Sequence, residues 1–155
     1  MSDGTAAATA SARYAHLELS GEYRLENKDH KIRTVISLPG DVHTALLNAG
    51  KIPDPYFGNN EQDVMWVNKT PWSVERTFGA DAEMAAGHLT LTLSQIDCIA
   101  TILLNGHAIG AVDNQFIRHD FDVTGKVRVG ENVLRIEFEV VRDVARKRYE
   151  QHPFL

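Results

Sequence analysis

The sequence predicts an all-β fold, an antiparallel β-sandwich or jelly roll carrying one short helix. Three observations lead there. Apolar and polar residues alternate in roughly eight to ten short runs separated by turn residues. One stretch alone carries a helical period. Asn105-Gly106 stands between two apolar runs, which is what a tight type I′ hairpin requires.

The elements follow in order. "HLELSGEYRLE" alternates Leu17, Leu19, Gly21, Tyr23 and Leu25, a period of two with a break signal at Ser20-Gly21. Lys31 to Leu38 repeats the pattern through Ile32, Thr34, Ile36 and Leu38. Asp41 then reads as the cap of a helix in which Val42, Ala45, Leu46 and Ala49 share a face, with Gly50 placed to end it in a left-handed conformation. Two turns of helix do not stand alone and must pack on something larger. "DVMWVN" and "WSVERTF" come next among the short runs, and in the second Trp72, Val74 and Phe78 point one way. "GHLTLTLS" sets Leu89, Leu91 and Leu93 against Thr90 and Thr92, a half-buried strand with β-branched residues on its wet face. The Asn105-Gly106 hairpin, the short strand "HDFDV", a turn in "VRVGEN" and the alternation of Leu134, Ile136, Phe138 and Val140 complete the series.

At 155 residues the chain suits one domain with its own core. The expected division is a flexible tail over 1–14, the sandwich over 15–141 and a C-terminal extension over 142–155. A composition of 43% hydrophobic and 24% charged residues is that of a globular protein, and no apolar run approaches the length of a membrane span. A net charge of −5 without a basic stripe speaks against nucleic acid as a partner. The cluster from Arg142 to Arg148 reads as a solvated segment or a contact to a following domain. Cys98 is the only cysteine, which excludes an internal disulfide and a thiolate zinc cage. The opening "MSDGTAAATASA" lacks the basic and leucine-rich regions of a signal peptide, so a cytoplasmic location is the default, with export left open.

The segment from Ser37 to Asn60, "SLPGDVHTALLNAGKIPDPYFGNN", is too long and too heavily punctuated for an ordinary connection. No Ser-His-Asp spacing, glycine-rich phosphate loop or HExxH is present, and neither cofactor nor metal is expected; His107 and His119 could approach each other but lack a third ligand. Asp54, Glu61 and Asp63 share the long loop, where carboxylates commonly cap turns. Binding suits the segment better: Tyr56, Phe57, Trp66 and Trp72 lie beside Asn59, Asn60, Asn68 and Asp63, pairing aromatic faces with the amide and carboxylate edges that sugar rings need. Trp72, in an alternating strand, reads as core, and Trp66 as either core or platform. "AVDNQF" is a second polar loop, whose Asp113 and Asn114 suit turns.

The same residues carry a resemblance. Leu38 to Phe78, with Pro39-Gly40-Asp41-Val42-His43, then Ile52-Pro53-Asp54-Pro55-Tyr56, then Asn60-Glu61 and the two tryptophans, resembles the N-terminal domain of β-mannosidases of glycoside hydrolase family 2. "ATILLNGHAIGAVDNQFIRHDFDV" with "GENVLRIEF" is similar to that domain's second signature, although Gln95-Ile96-Asp97-Cys98 and "DNQFIRHDF" depart from its usual wording. The resemblance implies a galactose-binding-domain-like jelly roll that docks on a (β/α)₈ catalytic barrel, and a parent enzyme that hydrolyses terminal β-mannosides by the retaining mechanism. The barrel would supply both catalytic glutamates, so this chain alone is expected to be inactive, and no catalytic role passes to Asn60-Glu61. The sugar, a β-mannoside or a relative of it, would meet Asn59, Asn60, Glu61 and Trp66 along one pocket wall. Relatives would continue past "RDVARKRYEQHPFL" into a tryptophan-aspartate-tryptophan segment. The alternative is a freestanding carbohydrate-binding module without hydrolase activity.

Overall fold

The computed structural model describes residues 16–152; the expected tail over 1–14 and the end of the extension, 153–155, lie outside them. Eight strands form: β1 (Gly21–Asn27), β2 (Ile32–Leu38), β3 (Trp72–Ala80), β4 (Thr90–Leu93), β5 (Ala100–Leu104), β6 (His107–Val112), β7 (His119–Asp122) and β8 (Gly130–Phe138). Six make one antiparallel sheet in the order β2-β1-β3-β8-β5-β6, and β4 pairs with β7 in a second sheet. The predicted all-β sandwich is therefore present. The break at Ser20-Gly21 is real, because β1 begins at Gly21 and the preceding residues lie outside the strand. Asn105 and Gly106 both take positive φ, at 53° and 82°, closing β5 on β6 with Leu104 opposite His107 as a type I′ turn demands.

The expected helix, α1 (Val42–Asn48), is in place. Asp41 caps it by accepting from Thr44 N at 2.9 Å, and Gly50, at φ 62°, follows its end. Further helical pieces go beyond the single helix expected: α2 (Asn60–Val64) running into a 3-10 turn over Met65–Lys69, α3 (Ala82–Ala86) and α4 (Val141–Gln151). "DVMWVN" is thus helical and not extended. Val64 and Val67, three apart, are both buried, a spacing that turns one face of a helix inward. α3 is announced by Asp81, whose carboxylate accepts from Met84 N at 2.8 Å, ahead of alanine-rich helix formers. α4 has no buried residue, so no apolar stripe marked it in the sequence.

A two-stranded sheet cannot cover the inner face of a six-stranded one. β4 and β7 lie over part of it, and the excursion of residues 39–71 supplies the rest. The main core joins Ala45, Leu46, Ile52, Val64 and Val67 from the excursion to Tyr23, Leu25, Ile36, Trp72 and Val74 from the sheet. The long segment between β2 and β3 is the missing part of the second layer, built from short helices.

Candidate functional site

The buried side of the excursion fixes what its other side displays. Asp54 organises the tip: its carboxylate accepts from Tyr56 N at 2.9 Å, and its carbonyl accepts from Phe57 N at 3.2 Å and from Asn60 Nδ2 at 2.9 Å. That turn leaves Tyr56 97% and Phe57 76% exposed, with Met65 50% exposed further along. Large apolar side chains so fully exposed on an ordered segment call for an explanation.

The four sequence-predicted site residues fall on this segment in different states. Asn59 precedes α2 and is exposed, with no capping hydrogen bond from its side chain. Asn60 is half-buried, its amide nitrogen held by Asp54. Glu61 is exposed in the first turn of α2, where a carboxylate also favours the helix dipole. These three are consecutive. Trp66 lies further on, in the 3-10 turn, half-buried and packed against the core, with its ring centroid 6.1 Å from that of Trp72. Trp72 is core, as its alternation predicted: it is 6% exposed and donates from Nε1 to Val67 O at 2.9 Å.

Strand register sets several connections at the same end of the large sheet. Trp72 pairs with Phe138, and Ala100 pairs with both Phe138 and Val112. The β1–β2 turn, the 3-10 turn, the β6–β7 loop and the start of α4 therefore share one end of the large sheet. His30, from the β1–β2 turn, lies against Trp66 with ring centroids 4.4 Å apart. His30 carries no signal in the sequence, because a histidine in a polar turn has no pattern to betray its partner. The β6–β7 loop is shaped by Asn114, which accepts from Phe116 N at 2.9 Å and contacts His119 Nε2 through its carbonyl at 2.8 Å. Phe116 is left 88% exposed.

A groove of about 560 Å³ runs between α4 and the outer face of the large sheet, lined among others by Ser73, Thr101, Arg135, Glu137, Asp143 and Lys147. Arg135 occupies its floor, with Nε 2.7 Å from Glu137, one terminal nitrogen 3.1 Å from Glu75 and the other donating to Ser73 Oγ at 2.9 Å. Partial burial works against the guanidinium charge, and the hydrogen bonds to Glu137 and Glu75 outweigh it, raising the pKa. Glu26, beside this network, has its carboxyl lowered chiefly by the hydrogen bond from Arg33. These charges satisfy one another and stiffen the sheet. Among the described residues no three His, Cys, Asp or Glu side chains are grouped to hold a metal ion, and no helix is long and apolar enough to cross a membrane.

Comparison with known proteins places this geometry. Residues 23–155 match the family described as "Glycosyl hydrolase 2 galactose-binding domain-like". The chain is 31% identical over 137 residues to a β-mannosidase of Capra hircus, covering 88% of this chain and 16% of that protein. It is 34% identical over 138 residues to β-mannosidase B of Thermothelomyces thermophilus, covering 88% of this chain and 16% of that one. The crystal structure of a β-D-mannosidase from Dictyoglomus thermophilum superposes with a TM-score of 0.84 at 34% identity, covering 89% of this chain and 17% of the other. An exo-chitosanase from Amycolatopsis orientalis, at 21% identity and a TM-score of 0.67, shares the fold. The chain spans 16% of the length of the two β-mannosidases from Capra hircus and Thermothelomyces thermophilus. By the family match over most of its length, this chain belongs to the glycosyl hydrolase 2 galactose-binding domain-like family.

Proposed function

We propose that this chain is the sugar-binding, accessory domain of a β-mannosidase-like retaining glycoside hydrolase, docked on a (β/α)₈ catalytic barrel and forming one wall of its pocket for terminal β-mannosides. The observation that carries the reading is the tip of the excursion, where Tyr56, Phe57 and Met65 are exposed on a segment whose other side is core. An apolar surface already held in shape loses little freedom on docking, which favours association. Pro53 and Pro55 further limit the freedom of the unbound segment. Asn59, Asn60, Glu61 and Trp66, next to that surface, would meet the sugar where the domain borders the barrel. The two carboxyl groups of a retaining mechanism, about 5–5.5 Å apart, would both come from the barrel. This chain's part is to orient substrate and exclude water.

The test is a chimera in which residues 16–152 replace the matching domain of the Dictyoglomus thermophilum β-D-mannosidase. A folded chimera that hydrolyses nitrophenyl β-mannoside, while the isolated chain does not, is the expected result. A folded chimera without turnover overturns the docking role. The exposure of Tyr56 and Phe57 also favours a second reading, a freestanding carbohydrate-binding module with an aromatic platform. In that case the isolated chain would bind mannosides unaided.

A further inference from the structure

We infer that His30 is a positioning residue for Trp66: it covers the indole ring and leaves the indole N–H edge as the group that donates to a sugar hydroxyl. Asn27 closes β1, just ahead of the turn that carries His30. This asparagine is 1% exposed and is spent on holding two chain segments together. Its amide nitrogen donates to Thr70 Oγ1 at 2.8 Å and to Pro71 O at 2.9 Å, both on the return arm of the excursion. Its amide oxygen accepts from His30 N at 2.8 Å, which shapes the β1–β2 turn. Thr70 Oγ1 also lies 3.2 Å from Asp29 Oδ2, a second tie between the same turn and the same arm. The turn is thereby latched onto residues 66–71, and the latch sets the imidazole of His30 against Trp66 at 4.4 Å between centroids and 38° between planes.

Trp66 is consequently engaged by protein through its ring, with His30 against it and Trp72 6.1 Å away. Its nitrogen is not. Trp72 Nε1 has Val67 O, whereas no hydrogen bond among the described residues engages Trp66 Nε1. No buried side-chain nitrogen or oxygen among the described residues lacks a partner, so the Trp66 N–H reaches solvent. An oriented donor on a ring that cannot turn is suited to a hydroxyl or ether oxygen of a neutral sugar. The sugar part of the inference rests on the function proposed above.

Two measurements test it. In the full chain, the indole N–H of Trp66 should exchange quickly with water and that of Trp72 slowly. His30→Ala should shift the Trp66 indole resonance and its near-ultraviolet circular dichroism with little change in Tm, since His30 is exposed, and His30→Phe should restore both. An unmoved Trp66 signal in His30→Ala, or a failure of Phe to restore it, overturns the latch. In the chimera, His30→Ala and Trp66→Phe should each raise KM for nitrophenyl β-mannoside several-fold with kcat nearly constant, and His30→Phe should recover the KM. An active chimera whose KM ignores these changes overturns the sugar contact while sparing the docking role. A chimera inactive with the unaltered domain counts against the docking role, and the spectroscopic arm still decides the latch.

Discussion

Leu46→Ala measures whether the excursion is a structural layer or an applied loop. Leu46 is fully buried in α1, within the core cluster that includes Leu25, Ile36 and Val67. Truncation removes roughly three methylene equivalents at about 0.8 kcal/mol each, or about 2.4 kcal/mol of transfer free energy. Residual cavity raises the total, and buried Leu→Ala changes span about 2–5 kcal/mol. The expected loss is about 3 kcal/mol, which for a chain of this length lowers Tm by roughly 6–12 °C. Leu47, next in sequence and 37% exposed, is the internal control and should cost about 1 kcal/mol or less on truncation. The assay is urea unfolding followed by tryptophan fluorescence and far-ultraviolet circular dichroism. One shared transition, moved to lower urea with its slope unchanged, is the expected result. A loss below about 1 kcal/mol for Leu46→Ala, or excursion and sheet unfolding in separate transitions, would refute the idea that residues 39–71 complete the sandwich.

Asn27→Ala should cost about 2–3 kcal/mol in urea unfolding, because the Thr70 hydroxyl and Pro71 carbonyl lose a buried donor. Asp41→Ala should cost about 1 kcal/mol at neutral pH through loss of the helix cap. The Asp41 carboxyl is lowered chiefly by the hydrogen bond from Thr44 N, so its contribution is present above its unfolded-state pKa and lost as pH falls through the depressed folded value. The gap between wild type and Asp41→Ala should therefore close in acid, and a gap independent of pH would contradict the assignment. A Cβ at Gly110 would overlap the ring of Phe121, so Gly110→Ala should destabilise by about 1–3 kcal/mol; a neutral Tm would show that the second sheet yields more easily than its packing implies.

Much of this was legible in the sequence because the relevant signals are local. Period-two runs need only a pleat and a buried face to become β1, β2, β3 and β8, and Asn105-Gly106 admits few conformations other than the hairpin it forms. Asp41 and Gly50 bracket α1 for equally local reasons. Elements stabilised from outside themselves were harder to see. α2 and the 3-10 turn are short, and only the buried pair Val64 and Val67 gives away the face they press on the sheet. α4 buries nothing and so carries no stripe. At the candidate site, the four residues singled out from the sequence share the excursion and have separate fates: Asn60 is tied to the Asp54 turn, Trp66 is half core, and Asn59 and Glu61 face solvent. His30 was invisible because its contact with Trp66 crosses 36 positions of sequence and depends on the Asn27 latch.

The most direct test of the account is a titration of the isolated chain with mannose and a β-mannosyl disaccharide, followed through the indole N–H resonances of Trp66 and Trp72 and the side-chain amides of Asn59 and Asn60. An accessory domain that supplies one wall of a pocket should show no saturable shift through millimolar sugar. Saturable shifts at Trp66 or Asn59 would contradict the account and identify the chain as a module that binds carbohydrate on its own.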